Sequence, residues 1–203
     1  MSDEIRVAVA FHSGLGHTAR QAHAVASGAG TVEGTTSRLW PVDMLTDELW
    51  DGLATADAII FGTPTYMGSP SAVFKRFAEA TSPIYATLGW KDKVAAGFTN
   101  SQTINGDKLN TLVDLAVLAA QHGMHWVSLG LHAGWATSAA SPGDLNRLGS
   151  WLGAMAQSNG DAGPDVAPPS SDLATAEALG RRVAEVTRQL VHGRTVLRAG
   201  AAA

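Results

Sequence analysis

Residues 5–18, with the sequence IRVAVAFHSGLGHT, decide the fold. The run Ile5–Phe11 is apolar apart from Arg6, which is typical of a strand buried on both faces. A small polar loop follows, and Thr18–Ala29 then has the composition of a helix. A buried strand, a loop and a helix in this order form half of a βαβ unit. The stretch therefore predicts a parallel sheet covered by helices.

The same succession recurs along the chain. Further strands are predicted at Ser37–Pro41, Ala58–Gly62, Val94–Phe98 and Met124–Leu129. Helices are predicted over Thr46–Ala54, from about Pro70, and over Leu109–His122. Pro70 suits a first helical turn, where a missing N–H has no consequence. Alternating strands and helices imply right-handed crossovers, and hence a five-stranded parallel sheet with helices on both faces.

The last third of the chain has a different character. Residues 131–171 are rich in Gly, Pro and Ala and lack clear periodicity, so we expect a long surface excursion there. A segment of this length without regular structure is commonly functional. A final helix is predicted over Leu173–Val191, and residues 198–203 form a frayed tail. Residues 1–197 are expected to form one domain.

Composition excludes several classes of protein. The chain of 203 residues has no cysteine, which removes disulfides, thiolate metal sites and cysteine nucleophiles. Its formal net charge of −4, without a long basic run, argues against nucleic acid as a partner. Neither a membrane-spanning stretch nor a secretory signal is predicted, so we expect no membrane partner and a cytoplasmic location. The histidines show no metal-site spacing, and we expect no metal.

The first of three polar loops lies between the opening strand and its helix. It consists of Ser13, Gly14, Leu15, Gly16, His17 and Thr18. The N–H groups and partial positive charge of a helix N-terminus can hold a phosphate, and glycines permit close backbone approach. An ordinary turn with a capping hydroxyl would have the same composition. Both interpretations remain open for this loop alone.

Two further loops follow the third and fourth predicted strands. The second includes Pro64, Thr65, Tyr66, Met67 and Gly68, and could present an apolar wall to a planar ring. Alternatively, Tyr66 covers the edge of the sheet. The third includes Asn100, Ser101, Gln102, Thr103, Asn105 and Gly106, which offer either a polar edge for a ligand or a solvated loop. Carboxyl ends of parallel strands meet at one edge, so together the loops favour a mononucleotide site.

The stretches SGLGHT, GTPTYMGSPSAVFKRF, FTNSQTINGD and LAAQHGM resemble the WrbA-type NAD(P)H:quinone oxidoreductases of the flavodoxin superfamily. The resemblance covers roughly residues 5–131. It implies a flavodoxin-like, doubly wound sheet of strand order 2-1-3-4-5 and a bound FMN. It also implies that residues 13–18 hold the phosphate, residues 64–68 the ribityl chain and ring, and residues 100–106 the polar edge of the ring. A further implication is quinone reduction by NADPH or NADH in a tetramer, with Tyr85 beside the quinone.

The chain departs from the family pattern in places. The family's glycine-rich third loop becomes Ser101–Gly106, Gln121 replaces a histidine, and Leu152 replaces a tyrosine. These changes leave the electron acceptor open. They are compatible with FMN binding.

We therefore predict an FMN-dependent oxidoreductase that passes two electrons from NAD(P)H to a quinone-like small molecule. The chemistry belongs to the flavin, so no catalytic acid or base is assigned. Tyr66, Tyr85 and His132 are the substrate-pocket candidates. The alternatives are a non-enzymatic flavodoxin-type electron carrier and a flavin-binding regulatory protein. A homodimer or homotetramer is expected.

Overall fold

Apolar runs in the sequence become the central strands of one sheet. The computed structural model describes residues 4–201. Its strands are β1 Ile5–Phe11, β2 Thr35–Pro41, β3 Ala58–Tyr66, β4 Ser69–Pro70, β5 Val94–Ser101, β6 His125–Trp126 and β7 Ala154–Gln157. Its helices are α1 His17–Gly30, α2 Asp47–Thr55, α3 Ala72–Ala80, α4 Ser82–Ala86, α5 Lys108–Gln121 and α6 Ser170–Ala201. Nearly all residues of β1, β3 and β5 are buried, so both faces of the sheet need cover.

The sheet follows the order β2-β1-β3-β5-β6, and these five strands are parallel. β7 also pairs in parallel with β5, but further along it, with Phe98 opposite Ala154. β4 pairs antiparallel with the end of β3. The predicted order 2-1-3-4-5 is confirmed, with β5 in the fourth position and β6 and β7 sharing the fifth.

The edge strand differs from its prediction. A continuous strand over Met124–Leu129 is wrong, because only His125 and Trp126 are in strand conformation there. The chain then leaves the sheet and returns as β7 beside the second half of β5. The excursion predicted at residues 131–171 therefore contributes a strand to the sheet. Short-range periodicity could not indicate this, since a four-residue strand is fixed by its partner.

Four other boundaries also differ. β3 and β5 extend to Tyr66 and Ser101, so the beginnings of two predicted loops are strand. Pro70 is wrongly placed in a first helical turn, because it pairs in β4 while Ser71 caps α3 through a bond from Phe74 N. α6 runs well past Val191 to Ala201. Part of the predicted tail, residues 198–201, is therefore helical, and residues 202–203 lie outside the described part of the chain.

Alternate residues of each central strand enter opposite cores, as the two-residue period of a strand requires. One core lies beneath α1 and α6 and includes Val9, Ile60 and Phe98. The other lies beneath α2, α3 and α5. It includes a cluster of aromatic rings from Phe61, Phe74, Phe77 and Trp90. The helices on both faces leave only the edges of the sheet open for a site.

α1 and α6 cross at a pair of glycines. A Cβ at Gly28 would collide with the backbone oxygen of Glu177, and a Cβ at Gly180 with that of Val25. The two backbones therefore approach closely enough that only hydrogen fits at these positions. This contact fixes the first helix, and with it the loop that precedes it.

No helix among residues 4–201 combines the length and the hydropathy that a membrane span requires.

We expect Gly180→Ala to lower the free energy of unfolding by roughly 1–3 kcal/mol, because the added methyl group overpacks a backbone contact. Gly193→Ala is the matched control in the same helix, since nothing lies within 4 Å of its added Cβ. Its higher helix propensity should stabilise the protein by up to about 1 kcal/mol. Urea denaturation of both variants measures the two changes in unfolding free energy. Equal changes at the two positions would contradict a close backbone contact between α1 and α6 at Gly180.

Candidate functional site

The first polar loop ends at an open helix N-terminus. Gly16 is the N-cap of α1 in the left-handed conformation, with φ of 88°, and makes no side-chain cap. Ser13 Oγ accepts a hydrogen bond from Ala19 N at 3.0 Å. The N–H groups of His17 and Thr18 lie in the first turn of α1, where no helix carbonyl is available to accept from them. No acidic residue lies in this turn. This arrangement suits an anionic group, held by backbone dipoles and hydroxyls.

The second loop is a tight hairpin. Met67 and Gly68 both have positive φ, of 50° and 82°, and connect Tyr66 to Ser69 across the β3–β4 pair. Asn110 Nδ2 donates to Gly68 O at 2.8 Å and holds the turn against α5. Two-residue turns of this kind match the twist of their strands.

The hairpin presents apolar side chains beside the first loop. Met67 is fully exposed at 102%, and Tyr66 is partly exposed. A Cβ at Gly14 would collide with the hydroxyl group of Tyr66, so the two loops touch at this point. The resulting wall is apolar, exposed and held in one place.

The third site segment is the end of β5 and its following loop. Asn100 is 4% exposed and donates from Nδ2 to Ser158 Oγ at 2.9 Å. Its Oδ1 is buried, and no hydrogen-bond partner for it exists within residues 4–201. Leaving a buried acceptor unpaired costs free energy, so a ligand donor is expected here.

These segments enclose a cavity of about 420 Å³. Ten predicted cofactor-binding residues line it: Leu15, His17, Thr18, Pro64, Thr65, Tyr66, Met67, Asn100, Ser101 and Gln102. Six others lie in the same loops without lining it: Ser13, Gly16, Gly68, Thr103, Asn105 and Gly106. The volume falls in the range of small-molecule and cofactor sites.

Sequence reasoning missed Ser158 and Gly160, which also line the cavity. They follow β7, so pairing of β7 with the end of β5 brings them to the site. The run Ser158-Asn159-Gly160 after a short apolar strand resembles the other polar loops, and this was the available signal.

The segment after β7 also contacts the first loop. His17 Nε2 bonds with Ala162 O at 2.8 Å, and Arg20 donates to Pro164 O at 2.7 Å. The ring of His17 is therefore engaged by the backbone of this segment.

Two predicted substrate-pocket residues do not meet the cavity within this chain. Tyr85 lies in α4, and its ring packs at 6.2 Å against His122, which caps the far end of α5. His132 is exposed in the excursion and packs at 6.5 Å against Trp151. Of the three candidates, only Tyr66 lines the cavity.

A buried lysine supports the third loop from behind. Lys108 is fully buried, and its Nζ donates to Ser101 Oγ, Thr103 O and Ile104 O at 2.7–2.8 Å. Burial lowers the pKa of Lys108 from 10.5 to about 8; Asp172 opposes the shift and Arg147 adds to it.

The sheet order, the cover on both faces and a cavity at the carboxyl ends of the strands define a flavodoxin-like protein. A family model described as NADPH-dependent FMN reductase matches residues 23–133. A flavodoxin named FldP, from Pseudomonas aeruginosa, is 45% identical over 188 residues, which cover 91% of this chain and 98% of the relative.

Two further comparisons agree. An NAD(P)H dehydrogenase (quinone) from Archaeoglobus fulgidus is 32% identical over 206 residues, covering 91% of this chain and 98% of the relative. The crystal structure of a flavodoxin, WrbA-like protein from Agrobacterium tumefaciens is 44% identical, with a TM-score of 0.72 and coverage of 92% and 99%. The chain belongs to the WrbA-type family of flavodoxin-like FMN proteins. The predicted family, fold and FMN cofactor are confirmed.

The pKa of Lys108 predicts a pH-dependent stability. Between about pH 8 and 10.5 the unfolded chain keeps the lysine proton that the folded chain has lost, so stability rises with pH. We therefore compare the free energy of unfolding of FMN-free wild-type protein with that of Lys108→Met. The wild-type value minus the variant value should increase by up to about 3 kcal/mol as the pH rises through this window. Denaturation at several pH values measures it. A difference that stays flat or falls would contradict a buried, charged lysine.

Proposed function

We propose that this chain is an FMN-dependent oxidoreductase that carries two electrons from NADPH or NADH to a quinone-like acceptor. The overall reaction converts NAD(P)H, one proton and a quinone into NAD(P)⁺ and the hydroquinone. Bound FMN supplies the hydride acceptance and the electron release, and the protein supplies placement and electrostatics.

The observation that carries the proposal is the unpaired Oδ1 of Asn100 in a wall of the cavity. FMN has a polar edge with one N–H group between two carbonyls, an apolar ring system and a terminal phosphate. Asn100 would accept from the N–H, Tyr66 and Met67 would cover the ring, and the N-terminus of α1 would hold the phosphate. The residues present therefore fit the group at both of its ends.

Enzymatic turnover is supported by the relatives. Several proteins named NAD(P)H dehydrogenase (quinone) are about 30% identical over more than nine-tenths of this chain. The chain's moderate net charge of −4 also favours a small acceptor over docking to a redox protein, which relies on strong electrostatic steering. The exposed side chains of Tyr66 and Met67 give such an acceptor an apolar approach to the cavity.

The alternative is a flavodoxin-type electron carrier or a flavin-binding regulatory protein. One observation favours it: the relative that is 45% identical is named a flavodoxin. The altered third loop, in which Gln102, Ile104 and Asn105 stand where the family pattern has glycines, is compatible with it.

The deciding experiment is anaerobic mixing of FMN-loaded protein with NADPH, then with NADH, while the visible absorbance of oxidised flavin is followed. We expect bleaching within seconds with one of them, and recovery of absorbance when benzoquinone is added. Reduction by dithionite but by neither nicotinamide would support the carrier or regulatory alternative and would overturn the enzymatic proposal.

Asn100→Ala should weaken FMN binding roughly tenfold, because a buried hydrogen bond is lost and the flavin N–H is left unpaired. Asn105→Ala is the matched control, since Asn105 is exposed in the loop that follows β5 and does not line the cavity. Quenching of FMN fluorescence during titration gives both dissociation constants. Unchanged affinity in Asn100→Ala would remove the main support for the site.

A further inference from the structure

Lys108 introduces a positive charge that its surroundings do not balance. Among the ion pairs of the described residues, none involves Lys108. Its three acceptors are a hydroxyl group and two carbonyl groups, all neutral. Burying a charge without a counter-charge costs free energy, even where hydrogen bonds are complete.

The carboxylate that acts on Lys108 already has a partner. Asp172 is 1% exposed and accepts two hydrogen bonds from Arg147, at 2.7 and 2.9 Å. Lys108, Arg147 and Asp172 therefore form a buried group with two cations and one carboxylate. Asp107, the neighbouring acid in sequence, is exposed.

The helix adds to this excess charge. Lys108 is the first residue of α5, where the helix dipole places partial positive charge and disfavours a cation. The group thus has a net positive charge in a site that excludes water.

The excess charge lies directly behind the cofactor cavity. Lys108 contacts Ser101, which lines the cavity. On the other side, Arg147 donates to Gln157 Oε1 at 3.3 Å, and Gln157 Nε2 donates to Gln102 O at 2.9 Å. Gln102 also lines the cavity. One wall is therefore held by the cationic group on both sides.

We propose that Lys108 is a positioning residue that shapes the third loop and places a buried positive charge behind the FMN ring, so that reduced FMN binds more tightly than oxidised FMN. This inference rests on the FMN binding proposed above and is independent of nicotinamide turnover. At neutral pH the reduced flavin ring carries negative charge that the oxidised ring lacks, and a fixed cation nearby therefore stabilises it.

A lysine that only ordered the loop would act differently. Its removal would weaken the binding of oxidised and reduced FMN by the same factor, and the midpoint potential would stay unchanged. If the charge of Lys108 acts on the flavin, its loss weakens the binding of reduced FMN more than the binding of oxidised FMN. The midpoint potential of the bound flavin separates the two roles, because it depends on the ratio of the two affinities.

The test compares FMN-loaded wild-type protein with Lys108→Met and Lys75→Met during slow anaerobic reduction by xanthine and xanthine oxidase in the presence of a reference dye. For Lys108→Met we expect the ratio of the affinities for reduced and oxidised FMN to fall about tenfold, which lowers the two-electron midpoint potential by about 30 mV. Lys75→Met is the matched control, because it removes a cation that is exposed in α3 and does not line the cavity, and its affinity ratio should stay within about twofold of wild type.

Lys108→Gln provides a second variant that keeps two amide donors for the loop carbonyls without the charge, and it replaces the methionine variant if that does not fold. A lowered potential in either variant supports the proposal. An unchanged or raised potential, with FMN still bound, overturns it and assigns Lys108 a purely structural role. The experiment uses no NADH or NADPH, so a failure of the enzymatic proposal would not affect its result.

Discussion

Burial of both faces of the central strands is the constraint on which the rest of the structure depends. Nearly every residue of β1, β3 and β5 is buried, so each strand must be covered on both sides. Helices supply the cover through right-handed crossovers, and the loop that leads into each crossover helix then lies at the carboxyl ends of the strands. The loops at the carboxyl ends of the strands converge for this reason alone. The site is thus a geometric result of core formation, and its chemistry is added by a few residues in the loops.

Much of this could be predicted from local sequence. Apolar runs located the central strands β1, β3 and β5, and the polar loops after them located three segments that line the cavity. The run Ser158-Asn159-Gly160 has the composition of a polar loop, but its position at the cavity depends on the register between Phe98 and Ala154, which are 56 positions apart in the chain. The placement of Tyr85 came from family resemblance, and within one chain α4 leaves it beside His122, away from the cavity.

Lys108 shows a second limit of local reasoning. A lysine at the start of a helix has the composition of a solvated surface residue, and its burial results from the loop that folds back over it. One signal was present: a cation at a helix N-terminus opposes the dipole, and such a conflict is commonly a functional or strained position.

The division of the outer strand into β6 and β7 has a consequence for behaviour at high protein concentration. An uninterrupted edge strand exposes a row of unpaired backbone groups, to which a strand from another molecule can add. Here the edge is formed by the two residues of β6 and, after the chain has left the sheet and returned, by the four residues of β7. Neither piece is long enough to template a stable intermolecular sheet. The same detour that brings Ser158 to the cavity therefore also protects this side of the sheet against aggregation.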